Sequence, residues 1–284
     1  MDWTSRSSGK KYAIPFGERT FIMGIINTSP DSFSGDGLNS DDEALRQAGR
    51  FIREGADILD VGGQSTRPGA KAIDAGEEIK RTASLIKELS SKFDVPVSID
   101  TYKSEVARAA LENGAAMIND ISAFQFDKKM PGIVSEYGVP AILMHIKGIP
   151  ENMQDGVIVY DDVMDSIKEY LRKAIKGALE AGISENMIIV DPGIGFGKTV
   201  EHNLIILQRL AELKELGRPV LAGVSRKSFI GKTLNLPEND RLEGTAAAVA
   251  AAIMNGADMI RVHDVGAMKR VAAMTDAIVK AGGE

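Results

Sequence analysis

The chain has 284 residues, 44% of them hydrophobic and 26% charged, with a formal net charge of −6 and no cysteine. That balance excludes a nucleic-acid partner held by a general basic surface, and it excludes disulfides, thiolate nucleophiles and zinc–sulfur sites. The opening residues hold no apolar signal core, and no run of about 18 apolar residues could span a bilayer, so a cytoplasmic protein with no membrane partner is expected.

In chain order, residues 1–20 read as an N-terminal extension whose segment KKYAIPFGERT forms a short hairpin closing the bottom of the main domain. Eight short apolar runs come next, at 21–28, 57–63, 96–101, 116–122, 140–146, 187–193, 219–225 and 258–265. Several share one device, as in REGADILDVGG, LENGAAMINDIS and MNGADMIRVHDV: a helical segment, a glycine, then a β-branched run. Glycine just past the last helical turn supplies the left-handed cap. The runs do not alternate polar with apolar, as expected of parallel strands buried on both faces. Stretches of helical length lie between them, YDDVMDSIKEYLRKAIKGALEAG being the clearest. AAAVAAAIM at 246–254 is too short for a membrane and reads as a helix packed on the body or on a second subunit.

Eight strand–helix periods imply an α/β chain folded as a (β/α)8 TIM barrel, one domain with the barrel over 21–282. The alternative is an open doubly wound sheet, which would carry G-x-G-x-x-G after its first strand. The turn there reads NTSPDSFSGDG and has no such pattern. The segment GFGKT within IIVDPGIGFGKT, residues 188–199, imitates a different nucleotide-binding motif. A phosphate-binding P-loop needs four residues between its glycines, and the position that would satisfy the spacing is Pro192, which has no N–H to offer.

Barrel chemistry sits at the C-terminal strand ends. Those ends deliver Asn27, Asp60, Asp100, Asn119 with Asp120, Met144 with His145, Asp191, then Ser225, Arg226 and Lys227, and finally Arg261, His263 and Asp264. Asp100, Asn119 and Asp191 supply acceptors and an amide suited to the N–H edge of a flat heterocycle. Lys227, Arg261 and His263, cationic or able to become so, come from the seventh and eighth runs, where barrels hold phosphate. A ring at one end and phosphate at the other describe the ligand. The long loops TSPDSFSGDGLNSD and GGQSTRPGAKAIDAG are candidate lids, with Phe33 and Arg67 unusual at their tips. His202 reads as solvated at a helix start, and His145 as a satisfied pocket wall.

MGIINTSPDSFSGDG, DVGGQSTRPGA, SIDTYKSEVA, INDIS, LMHIKGIPENMQ, VDPGIGFGKT, GVSRKSFIG, GTAAAVAAAI and IRVHDV, in this order over about residues 21–265, together resemble the dihydropteroate synthases. The resemblance implies condensation of 6-hydroxymethyl-7,8-dihydropterin pyrophosphate with p-aminobenzoate in folate synthesis, with loss of pyrophosphate by an SN1-like path. It implies Mg2+ as cofactor, ligated by Asn27, and a homodimer of a family that is the target of sulfonamides. Asp100, Asn119, Met144, Asp191, Phe196 and Lys227 would hold the pterin. Asn27, Thr66, Arg67, Arg261 and His263 would hold the pyrophosphate. Phe33, Thr66, Pro68 and Ser228 would face p-aminobenzoate, and Asp31, Phe33, Arg67, Lys227, Arg261 and His263 form the implied catalytic set. On that assignment, losing Arg261 weakens pyrophosphate binding and spares the bare pterin.

The sequence departs from the family pattern where Thr28 and Ser29 replace Val and Thr, Gln64 replaces Glu, and Ile149 replaces Thr. The missing Glu bears on the ordering of the second loop. A corrinoid-dependent methyltransferase shares the pterin-binding barrel but needs no pyrophosphate site, and a non-catalytic pterin-binding barrel would shed the loop and cationic residues. SRKSF, IRVHDV and STRPGA favour the synthase over both.

Overall fold

The computed structural model describes residues 1–28 and 41–281. Strands β1 (Asp2–Thr4) and β2 (Lys11–Ala13) pair antiparallel. The Trp3 indole N–H donates to the Ala116 carbonyl at 2.7 Å, and its ring packs 5.4 Å from that of Tyr12. Ala116 immediately precedes a barrel strand, so the hairpin covers the N-terminal end of the barrel as expected, but it is built from residues 2–4 and 11–13 and not from KKYAIPFGERT alone.

The eight parallel strands are β3 (Phe21–Asn27), β4 (Ile58–Gly62), β5 (Val97–Asp100), β6 (Met117–Asp120), β7 (Ala141–Met144), β8 (Ile188–Asp191), β9 (Leu221–Ala222) and β10 (Met259–Val262). Each lies inside one of the runs read from the sequence and is shorter than it. Their spatial order is β8-β7-β6-β5-β4-β3-β10-β9. A single bridge, Val190 to Val220, closes β9 onto β8, with the Val190 N–H donating to the Pro219 carbonyl at 2.9 Å. Pro219 has no N–H to return, which accounts for the thin seam and the short β9.

Helices α1 (Asp41–Arg53), α2 (Ala75–Lys92), α3 (Ser104–Glu112), α4 (Met130–Tyr137), α5 (Val163–Glu180), α6 (Val200–Gln208), α7 (Ser228–Leu234), α8 (Leu242–Met254) and α9 (Val265–Ala281) pack around the strands. Asp74 and Asp162 cap α2 and α5 by accepting from the N–H groups of Glu77 and Asp165, each at 2.9 Å. The glycine device works as read: after α3, Gly114 turns with φ 106°, and Ala115 N–H reaches back to the Ala110 carbonyl at 2.9 Å. No helix among the described residues is long and apolar enough to cross a membrane.

The two ends of the barrel use acids differently. At the bottom, Asp57 accepts the Ile22 N–H at 2.8 Å and Asp258 accepts the Val220 N–H at 2.7 Å, tying down strand starts. At the top, register brings polar groups level. Asn27 is opposite Gly62, Gly62 opposite Asp100, and Asp100 opposite Asn119, one row across four strands. Two residues lower on the same parity lie Ile25, Asp60 and Ser98. Positions of one parity share one face of a sheet, so these rows fill the barrel as stacked layers.

Candidate active site

Most of the side chains singled out in the sequence meet at this mouth. A cavity of about 360 Å3 is lined by Asn27, Thr66, Arg67, Pro68, Asp100, Phe196, Lys227, Ser228, Arg261 and His263 among others. Asn119, Met144 and Asp191 are at most 5% exposed and lie deeper, outside the lining of the open space. Asp31 and Phe33 fall outside the described residues.

The floor is an ion network. Asp60, wholly buried in β4, accepts from Arg261 Nε at 2.6 Å and from Asn119 Nδ2 at 3.1 Å. The same guanidinium donates through Nη2 to Asp100 Oδ2 at 2.7 Å. Burial pushes the Asp100 carboxyl above its ordinary range; Arg261 opposes that, and Asp60 adds to it. Asp60 Oδ1 and Asp100 Oδ1 are buried with no hydrogen-bond partner among the described residues. Buried acceptors left open cost free energy, so they mark where a ligand N–H belongs. Arg261, read from the sequence as a pyrophosphate group, here bridges two carboxylates from successive layers of the barrel. Its long stem lets a residue level with Met23 reach acids higher in the barrel.

Asp191 ends β8. Its Oδ1 accepts the Gly193 N–H at 2.7 Å, and burial raises its pKa against the pull of Lys227 and the Gly193 bond. A Cβ on Gly223 would lie 3.7 Å from Lys227 Nζ and 4.0 Å from both Asp191 Oδ2 and Arg261 Cβ. The missing side chain therefore leaves space where these three groups converge. Lys227 donates to the Ile194 carbonyl and stands 4.8 Å from the centre of the Phe196 ring. Burial lowers its pKa to about 8 despite the Asp191 charge.

His263 places its Nδ1 against Ser225 Oγ at 3.0 Å. Burial first, then Arg261, Arg226, Arg67 and Lys227, push the imidazole down to about 3. A pKa that low leaves the ring neutral at pH 7. Arg226, held in the left-handed region at φ 56°, grips Asp264 through Nε at 3.0 Å and Nη2 at 2.6 Å.

The GFGKT stretch folds onto itself. Lys198 is 3% exposed and donates to His145 Nδ1 at 2.9 Å, the Gly193 carbonyl at 2.8 Å and the Phe196 carbonyl at 3.0 Å. Its amine is satisfied inside the turn, burial holds its pKa well below the ordinary lysine value, and no phosphate cradle forms. A Cβ on Gly193 would sit 1.8 Å from the His145 carbonyl oxygen at φ +67°, so only glycine fits there. His202 corrects the sequence reading. It is half-buried, its Nδ1 accepts the Thr199 N–H at 3.2 Å while Thr199 Oγ1 accepts the His202 N–H, and the pair caps α6. Met144 joins a small buried cluster with Ile121, Ile146 and Met153, against which Phe196 and Tyr102 pack.

The second loop is anchored in spite of its missing Glu. The Gln64 side-chain oxygen accepts from Lys103 Nζ at 2.6 Å and from Ile73 N–H at 3.0 Å, and its amide donates to Tyr102 at 2.9 Å. Lys103 also pairs with buried Glu78 at 2.6 Å, so the carboxylate is supplied from α2 instead. Residues without an assigned role in the sequence reading are thus Asp60, Lys103, Lys198, Arg241 and Glu238. Asp60 carried a signal, a lone acid in an apolar run. Glu238 carried none, since what singles it out is a neighbour 171 positions earlier, Arg67 at 2.9 Å.

Comparison with known proteins gives the same site a family. Residues 23–263 match the family model described as pterin binding enzyme. A dihydropteroate synthase of Clostridium beijerinckii is 49% identical over 266 residues, 93% of this chain and 96% of that protein. The Yersinia pestis dihydropteroate synthase solved in complex with a sulfonamide drug superposes with a TM-score of 0.92 at 39% identity, covering 99% of this chain and 100% of that one. That of Clostridium difficile, solved with pteroic acid, superposes with a TM-score of 0.87 at 45% identity, over 94% and 99%. The chain belongs to the dihydropteroate synthases, transferases of folate synthesis within the pterin-binding enzyme family.

Proposed function

We propose that this chain joins 6-hydroxymethyl-7,8-dihydropterin pyrophosphate to p-aminobenzoate by a dissociative path, in the cytoplasm and as a homodimer. The observation that carries the reading is the open acceptor Asp100 Oδ1 in a row of ring-binding groups beneath a cationic mouth. The relative solved with pteroic acid holds a molecule that unites both substrates' skeletons, which supports it. For the dimer, the support is exposed Met254, Met274 and Ile278 on α8 and α9.

In this path the C–O bond from the pterin methylene to pyrophosphate breaks, and the electron pair leaves with the pyrophosphate. The cation left on the methylene spreads into the dihydropterin ring. The arylamine nitrogen then forms the C–N bond and releases its proton. Asp100, Asn119 and Asp191 orient the ring, Met144 and Phe196 line it, and Lys227, Arg261 and His263 meet the leaving anion. Thr66, Arg67, Pro68 and Ser228 receive the arylamine. His263 enters as a neutral donor, and the arriving pyrophosphate charge favours its protonation.

Among the described residues no group of three or more His, Asp or Glu side chains could hold a metal. Asn27, a single amide at the cavity edge, fits Mg2+ only in the way that ion usually binds nucleotides and diphosphates, with phosphate oxygens and water filling most positions. Bound there, Mg2+ would neutralise charge on the leaving group.

The direct test mixes protein, both substrates and Mg2+ and reads dihydropteroate by mass. Product that vanishes when the metal is chelated is expected; bound pterin with no product at all overturns the reading. Lys227 adds a pH dependence. A lysine with pKa about 8 carries its charge below pH 8 and loses it above. For the free enzyme, kcat/KM should therefore fall roughly tenfold per pH unit above that point. Lys227→Arg should remove this alkaline limb up to about pH 10, because a guanidinium keeps its proton there. A limb that stays in place would assign it to another group.

A further inference from the structure

On the reading proposed above, the second substrate is an anion, and its nearest cation is already engaged. Arg67 Nη1 lies 2.9 Å from Glu238 Oε1 as an ion pair, both side chains about one-third exposed and both lining the cavity. The contact is a charge pairing without a directed hydrogen bond, so the guanidinium N–H groups remain able to take a second carboxylate.

Glu238 does not drift to this place. It lies in the turn between α7 and α8, where the Leu236 N–H donates to the Gly231 carbonyl at 2.9 Å and Asp240 N–H to the Pro237 carbonyl at 3.2 Å. Arg241 pins the same turn, donating to the Arg226 carbonyl at 2.8 Å and the Leu236 carbonyl at 3.4 Å. Arg67 is held from its own side, since Ala70 N–H donates to its carbonyl and Gly69 N–H to the Pro150 carbonyl, each at 3.0 Å. Two anchored loops thus present an acid and a base to each other across the entrance. Of the other charged residues lining this cavity, Arg226, Lys227, Arg241 and Arg261 are positive, and the acid Asp100 is already paired with Arg261.

We propose that Glu238 is a specificity-determining residue, a built-in rival for Arg67 that disfavours anionic arylamines relative to neutral ones. An incoming carboxylate must share or take over the Arg67 fork with Glu238 a few ångströms away, and like charges at that range repel. A partly exposed ion pair is weak enough to yield without blocking entry. A neutral arylamine meets no such competitor.

The test compares wild type with Glu238→Gln, which keeps shape and removes charge. Two probes are read: KM for p-aminobenzoate, and the inhibition constant of neutral 4-aminobenzamide. Glu238→Gln should lower the first about threefold to tenfold and leave the second within twofold. Glu238→Asp, which keeps the charge, should restore the higher KM. In an Arg67→Gln background, removing Glu238 should change the p-aminobenzoate KM less than twofold. A raised or unchanged KM in Glu238→Gln overturns the proposal, and so does an equal shift for the neutral probe. An inactive wild type would instead count against the proposed reaction, so the two failures are distinct.

Discussion

Arg261→Met is expected to lower stability by about 3–5 kcal/mol at neutral pH, because it leaves two buried carboxylates facing each other. Asp60 would keep only the Asn119 amide, and Asp100 would lose the bond to its Oδ2. The loss should depend on pH, and the sign follows from the direction of the shifts. Arg261 holds the Asp100 pKa down, so its removal raises that pKa further. A carboxyl whose folded pKa exceeds its unfolded value stabilises the fold below the unfolded pKa and loses that contribution as pH rises through the folded one. The variant should therefore be closer to wild type at pH 5 than at pH 8 in urea denaturation. A deficit equal at both values, or larger at pH 5, would show that the guanidinium is not balancing these acids. Binding should fall for both the bare pterin and its pyrophosphate, since one of the bridged acids, Asp100, is proposed to orient the ring. The sequence alone led to a different expectation, a loss confined to the pyrophosphate.

That difference shows where sequence stops being legible. Eight uninterrupted apolar runs announce eight strands, because a strand buried on both faces has no polar side to reveal or conceal. The polar residue that ends each run then falls at the mouth by topology. Register is what the runs do not state. That Asn27, Asp100 and Asn119 lie on one level, with Asp60 one layer below, comes from strand pairing. Arg261 looked like a rim cation because its position in β10 was known but the reach of its stem was not. Its partner Asp60 is 201 residues away, and nothing local to either one links them. Lys198 and His202 are residue types that advertise chemistry, but the spacing already sets the phosphate loop aside and His202 reads as solvated; what the sequence does not show is that both satisfy backbone turns. Glu238 is the limiting case, an ordinary acid in a polar turn whose meaning is conferred by Arg67.

Asp191→Asn should weaken pterin binding at least about 100-fold, with about 3 kcal/mol lost from charge-assisted bonds to the ring's N–H edge. The substitution hardly changes shape, so the loss reports charge and donor pattern. An asparagine could still accept the Gly193 N–H through its oxygen, keeping the turn in place. Its NH2 would then stand in place of Oδ2, removing an acceptor near the space left by Gly223. Lys227 would also lose the charge that keeps its pKa from falling further below about 8, so less of it would be protonated at pH 7. Two effects therefore compound: the ring loses its anionic acceptor, and the pyrophosphate loses part of a cation. Calorimetry separates them. The bare pterin reads the first effect, while the pyrophosphate ester reads both and should lose more. Unchanged affinity for the bare pterin would remove Asp191 from the ring edge, and the anchor would pass to Asp100, whose open Oδ1 offers the next acceptor in the barrel.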